Sequence, residues 1–188
     1  LADFIKTFST EYPQVTYKLY SADADDIKDR VNKGLLDICL LTEPVDVDKY
    51  DFIRIPQKER WGVIMRKDSP LAQERSVAPE DLLAYPILIP GRALVQNELD
   101  NWFGDAYGAV HIIGRYNLIY NAAILVEAGV GVALCLEKLV PVREETELCF
   151  RTLAPALETG VVIAWKKNQI FPPAVAKFIE LLKNAFRA

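Results

Sequence analysis

Residues 15–41 read VTYKLYSADADDIKDRVNKGLLDICLL. Val15 to Tyr20 alternates in polarity, which predicts a strand. Ser21-Ala22-Asp23 then leads into Ala24 to Lys33, whose early acids Asp25 and Asp26 and late bases Arg30 and Lys33 suit a helix dipole. Asp23 fits as the N-cap and Gly34 as the residue that stops the helix. Ile38 to Leu41 is continuously apolar, the pattern of a buried strand. Strand, helix and buried strand make a βαβ unit. Its right-handed crossover and parallel pairing place the loops after the two strands, Ser21 to Asp23 and Thr42-Glu43, on one sheet edge.

Upstream, Leu1, Phe4, Ile5, Phe8 and Tyr12 recur at helical spacing until Pro13. The chain thus opens within a helix, without an initiating Met or a signal peptide, and an N-terminal portion is expected before Leu1. Downstream, strands are expected at Phe52 to Ile55 and Trp61 to Met65, and the break at Lys67-Asp68-Ser69-Pro70 is a candidate crossing between lobes. A second lobe repeats the plan. Pro79 starts a short helix, Ile87 to Ile89 is a strand, and Pro90-Gly91-Arg92 precedes a helix ending near Gly104. Val110 to Arg115 alternates, Tyr116 to Tyr120 turns into a helix running to Ala128, and Gly129 ends it before the apolar strand Val130 to Leu136. Val161 to Trp165 adds a strand. Pro172-Pro173 opens a last helix with Val175, Phe178, Ile179, Leu182 and Phe186 on its buried face. The expected architecture is α/β, with lobe I made of residues 1–58 plus 160–188, lobe II of 59–159, and two crossing segments between them.

Composition narrows the function classes. The 188 residues carry a net charge of -4 and a pI near 5.2, which does not suit a surface that grips nucleic acid through clustered Lys and Arg. No apolar run approaches the roughly 18 residues that cross a bilayer. Cys39, Cys135 and Cys149 are widely spaced, and they read as small buried hydrophobes of a reducing cytosol. His111 has no Cys, Asp or Glu at ligand spacing, so neither a metal site nor a His-based triad is expected. Gly129-Val130-Gly131 follows a helix and precedes a strand, the reverse of a dinucleotide loop. In Asp23, Asp25, Asp26 and Asp29 the acids interleave with Lys28, Arg30 and Lys33, the pattern of a solvated helix face. Glu43, Glu59 and Glu98 lack a partner with which to divide acid and base roles. The reading is a protein without catalytic residues, metal or cofactor.

Four polar junctions remain where strands give way to helices or loops: Ser21 to Asp23, Thr42-Glu43, Gly91-Arg92, and Asn117 with Asn121. Each singly is also a cap or turn serving its own backbone. Together they suit a cleft for a small polar or anionic molecule, because helix N-termini present unpaired N–H groups at that sheet edge. Arg92 beside Gly91 is the cation at a helix entrance; Asp23 and Glu43 oppose an anion unless they are engaged elsewhere.

The segments Phe8-Ser9-Thr10-Glu11-Tyr12-Pro13-Gln14-Val15, Ile27 through Gly34-Leu35-Leu36-Asp37-Ile38, Lys67-Asp68-Ser69-Pro70-Leu71-Ala72 and Leu125-Val126-Glu127-Ala128-Gly129-Val130-Gly131-Val132-Ala133-Leu134 carry a resemblance. In their order and spacing the chain resembles the effector-binding domain of LysR-type transcriptional regulators, over essentially its whole length. Tyr116 to Ala123 resembles a Gram-positive subgroup. The resemblance implies a periplasmic-binding-protein type 2 fold with two Rossmann-like lobes, in a cytoplasmic regulator whose winged helix-turn-helix, outside this chain, alone binds DNA. It implies an effector held between the lobes, at positions matching Ser21, Ala22, Asp23, Thr42, Gly91, Arg92, Leu94, Val95, Asn117 and Leu118, beside the Asn121 junction. It also implies a homodimer, in which the first helix and the Val15–Tyr20 edge meet the Asn121–Ala128 helix of a second copy, and a tetramer for the full-length protein. One departure is that the family's first strand and the polar loop after it would precede Leu1. The competing reading is an extracytoplasmic solute-binding protein of the same fold, serving a transporter and distinguished by a signal peptide or lipobox upstream of Leu1.

Overall fold

The computed structural model describes residues 1–140 and 145–186. In chain order its elements are α1 (Ala2–Glu11), α2 (Ala24–Asn32), β1 (Cys39–Thr42), β2 (Tyr50–Arg66), β3 (Ser76–Val77), β4 (Ile87–Pro90), α3 (Ala93–Phe103), β5 (Ile112–Tyr116), α4 (Ile119–Glu127), β6 (Val132–Leu136), β7 (Leu148–Leu153), β8 (Glu158–Lys166) and α5 (Pro173–Ala185). The chain divides into two compact units, Leu1–Gln57 with Gly160–Ala188, and Lys58–Thr159. It passes from one to the other inside β2 and again inside β8. The Lys67 to Pro70 break, expected as a crossing, lies within the second unit. Among the described residues, no helix is long and apolar enough to cross a membrane.

In the first unit β1 runs antiparallel to β8, with Cys39 opposite Ala164 and Thr42 opposite Val161. Side chains alternate across β8. Val162 and Ala164 join Ile27, Val31, Cys39, Leu41 and Tyr50 on one face, whereas Ile163 and Trp165 pack with Ile179 and Leu182 of α5 on the other. Helix α1 docks on α5 through rings: Phe4 lies 5.3 Å from Phe186, and Phe8 5.1 Å from Phe178.

The strand expected at Val15–Tyr20 is not formed. Those residues carry no ladder, and Thr16 to Tyr20 are exposed. Alternating polarity suits a half-buried strand, but a strand exists only where a neighbour takes its backbone groups. Side chains hold the segment instead. Ser9 Oγ donates to the Tyr17 hydroxyl at 3.1 Å, and the Arg30 guanidinium lies 4.1 Å from the Tyr20 ring centre. The parallel βαβ pairing expected for this stretch therefore has no ladder behind it.

In the second unit the strands follow the order β3–β7–β2–β6–β4–β5. Pairing is parallel between β4 and β5, β4 and β6, and β3 and β7, and antiparallel on both sides of β2. Trp61, Val63 and Met65 of β2 face one core with Val95, Leu99 and Phe103 of α3. Ile64 faces the other, with Ala122, Ala123 and Val126 of α4. The two strands expected at Phe52–Ile55 and Trp61–Met65 are one, because Pro56 to Arg60 stay extended between them. The helix expected after Pro79 is a single 3-10 turn, Glu80–Leu82.

Candidate functional site

In the second unit two of the expected junctions stand side by side. Strands β4 and β5 run parallel, so their C-terminal ends, Pro90 and Tyr116, lie opposite each other. The Gly91 amide donates to the Tyr116 carbonyl at 2.7 Å, tying the loop before α3 to the loop before α4. A Cβ at Gly91 would sit 3.4 Å from that carbonyl oxygen, in ordinary van der Waals contact. Buried beneath, the Tyr116 hydroxyl donates to the Leu134 carbonyl at 2.6 Å, and desolvation pushes its pKa far up, so it stays a neutral anchor.

Neither helix is capped by a side chain at its N-cap. Arg92 holds that place for α3 and Leu118 for α4, and neither makes a side-chain cap bond. Two sets of helix-terminal amides, each at a positive dipole end, thus open near one sheet edge with the half-buried Arg92 among them. Around them, Gln96 Nε2 donates to the Pro90 carbonyl at 3.2 Å, and Asn117 Oδ1 accepts from the Leu118 amide at 2.9 Å. Leu94, Asn117, Leu118 and Asn121 are exposed. Val95 is 5% exposed and packs into the core with Leu99 and Phe103. On a helix, positions 94 and 95 lie about 100° apart, and sequence resemblance did not decide which of them faces inward.

The first unit differs. Asp23 is the N-cap of α2, its Oδ1 accepting from the amides of Asp25 at 3.1 Å and Asp26 at 3.0 Å. This helix start is occupied by its own carboxylate. Tyr20 fixes the other end of the Ser21–Asp23 loop. It bonds to Asp26, whose carboxylate also takes Arg30 Nε at 3.0 Å, and these two bonds hold Asp26 below the usual carboxylate range while the Asp26 bond raises Tyr20. Ala22 packs against the α2–β1 core. Thr42 ends β1 and is half-buried, and the next amide, of Glu43, donates to the Gly160 carbonyl at 2.9 Å. The Glu43 carboxylate pairs with Arg54 at 3.0 Å and occupies the space that a side chain at Gly160 would need. Both acids that opposed an anion are therefore engaged. The Tyr20 anchor was not foreseen, although the Asp26–Arg30 spacing was legible.

The model of the LysR substrate binding domain matches residues 1–187. The chain belongs to this family. Curated relatives of the LysR domain include the uncharacterized HTH-type transcriptional regulator YybE of Bacillus subtilis (strain 168), 25% identical over 186 residues, 98% of this chain and 63% of that protein. Another is the Hca operon transcriptional activator HcaR of Escherichia coli (strain K12), 22% identical over 191 residues, 98% of this chain and 62% of that protein. The chain spans under two thirds of their length. Among solved structures, the effector binding domain of QuiR in complex with shikimate aligns with a TM-score of 0.83 at 14% identity, covering 98% of this chain and 89% of that one. The C-terminal domain of a probable LysR family regulator from Rhodococcus sp. RHA1 aligns at 0.77 and 19% identity, covering 97% of this chain and 91% of that one. The LysR domain thus has the type 2 periplasmic-binding-protein fold of those neighbours, and its sequence relatives are transcription regulators.

Proposed function

We propose that this chain is the effector-sensing domain of a LysR-type transcription regulator and that it binds a small polar anion. The observation that carries this reading is the pair of uncapped helix starts, α3 and α4, tied together by the Gly91–Tyr116 bond with Arg92 among them. A guanidinium and free amides acting on one oxyanion form a strong, oriented recognition element. Leu94, Asn117, Leu118 and Asn121 flank it, and the proposed effector contacts also include the Ser21–Asp23 loop and Thr42. Shikimate, held by the QuiR effector domain, is a hydroxylated carboxylate of this chemical class.

Binding would bias DNA affinity in a winged helix-turn-helix outside this chain, in a cytoplasmic homodimer that pairs into a tetramer in the full-length protein. No catalysis or cofactor is involved. The matches to regulators do not favour the transporter reading. A thermal-shift screen of small metabolites tests the assignment. A true ligand at 100 times its Kd stabilises by about 2.7 kcal/mol, and Arg92→Ala removes most of that. If the best binder is a cation, or if its affinity survives Arg92→Ala, the anion assignment fails.

A further inference from the structure

The second unit has a cavity of about 510 Å³ that shares no residue with the junctions described above. It lies over β2 and β7, and its walls on the α4 face of the sheet are Ile64, Cys135, Val140 and Phe150, with Leu136 and Cys149, whose side chains pack on the α3 face, bordering it. Its size falls within the roughly 300–1,000 Å³ of small-molecule pockets. Burial holds the Cys135 thiol protonated, so it acts as apolar lining.

Three charged residues complete the wall: Glu137, Lys138 and Arg151. Two of them are engaged. Glu137 receives Arg60 through Nε at 3.0 Å and Nη2 at 2.9 Å. Arg151 spreads its guanidinium over three carbonyls, of Glu74, Phe150 and Ala72, at 2.7, 2.8 and 2.6 Å. Its positive charge remains. Lys138 is exposed, and among the described residues its ammonium meets no carboxylate or carbonyl. Its backbone is also left-handed, with φ of 68°, a conformation uncommon outside glycine that here turns the chain just after β6.

We propose that this cavity is a second ligand pocket, within one unit, for a small organic acid with an apolar body. The body lies against Ile64, Val140 and Phe150, and the carboxylate meets Lys138 at the rim. Among the described residues, the protonated Cys135 thiol and the Arg60-paired Glu137 leave no free carboxylate in the wall to repel it.

Octanoate is the probe, followed by methyl-resolved NMR of the 188-residue chain. Saturable shifts are expected at the Ile64 and Val140 methyls, and Lys138→Glu is expected to weaken binding about tenfold, the scale of one charge-assisted contact. Lys58→Glu, the same charge reversal on an exposed lysine outside the wall, leaves affinity unchanged, and octylammonium binds more weakly than octanoate. The proposal is overturned if octanoate gives no saturable shift, if the shifts lie elsewhere, or if Lys138→Glu binds it as tightly as the parent.

Discussion

Asp23 accepts two amides of the α2 first turn, and this one contact decides what that helix start offers a ligand. Replacing it with Ala removes the cap, and a loss of about 1 kcal/mol in urea denaturation is expected. A larger loss would mean that the carboxylate holds more than the helix. The neighbouring Asp26 contributes to acid sensitivity. Its bonds to Tyr20 and Arg30 lower its pKa from 3.8. A depressed carboxylate contributes stability that is present above the unfolded value and is lost as pH falls through the lower folded one. Asp26→Asn is therefore expected to lessen the loss of stability between about pH 5 and about pH 3, read from urea midpoints. At this scale much was legible, because capping and i, i+4 pairing depend only on neighbours in sequence: the Asp23 cap and the Asp26–Arg30 and Asp29–Lys33 pairs are present. Tyr20 was not, since its partners lie six and ten positions away, on the face of a helix whose docking local sequence does not determine.

Among elements, the turn between α4 and β6 shows how two glycines in one short motif serve different ends. Gly129 has φ of +81° and follows Ala128, the C-cap of the helix, with open space where a side chain would be. Gly131 has an ordinary φ, but a side chain there would run into the Pro86 carbonyl oxygen, just where the Val132 amide donates to that oxygen at 2.9 Å and β6 joins β4. Gly129→Ala is expected to cost about 1 to 2 kcal/mol, the left-handed penalty. Gly131→Ala must shift backbone in a central ladder, and it is expected to cost more, above about 3 kcal/mol or enough to prevent folding. Equal urea midpoints for the two variants would contradict this. Local sequence located the helix stop at Gly129 but not the contact at Gly131, which depends on a strand 45 residues away in register with β6. The same limit explains the strands. Continuous apolar runs such as β4, β6 and β8 announce themselves in sequence, whereas β7 is interrupted by Arg151 and Thr152, and Val15–Tyr20 alternates in polarity without forming a strand.

For the whole molecule, the open question is what covers the outward face of α4. Tyr120 is 72% exposed, Ile124 49% and Leu125 42%, and Val130 beyond the helix is 43% exposed. In the first unit Tyr17, Leu19 and Tyr20 are likewise exposed at 38%, 79% and 39%. The aromatic surplus of α1 is no longer available for a partner, because Phe4 and Phe8 pack on α5, which confines the proposed dimer edge to residues 17–20 and the outer face of the helix. Two apolar strips on one chain can cover each other in a second copy related by a two-fold axis, each strip being used once per protomer. An interface of standard size, roughly 1,600 Å² in total, holds at protein concentrations near 100 µM. The chain is therefore expected to sediment as a dimer at about 100 µM. Ile124→Asp places a charge at the centre of the strip, where it must be desolvated without a partner, and is expected to weaken association by at least about 2 kcal/mol. Because Ile124 faces solvent in the monomer, the variant should keep the parent's unfolding midpoint once both are monomeric. A parent that sediments as a monomer, or a dimer indifferent to Ile124→Asp, would separate the effector-sensing assignment from the dimer drawn around α4.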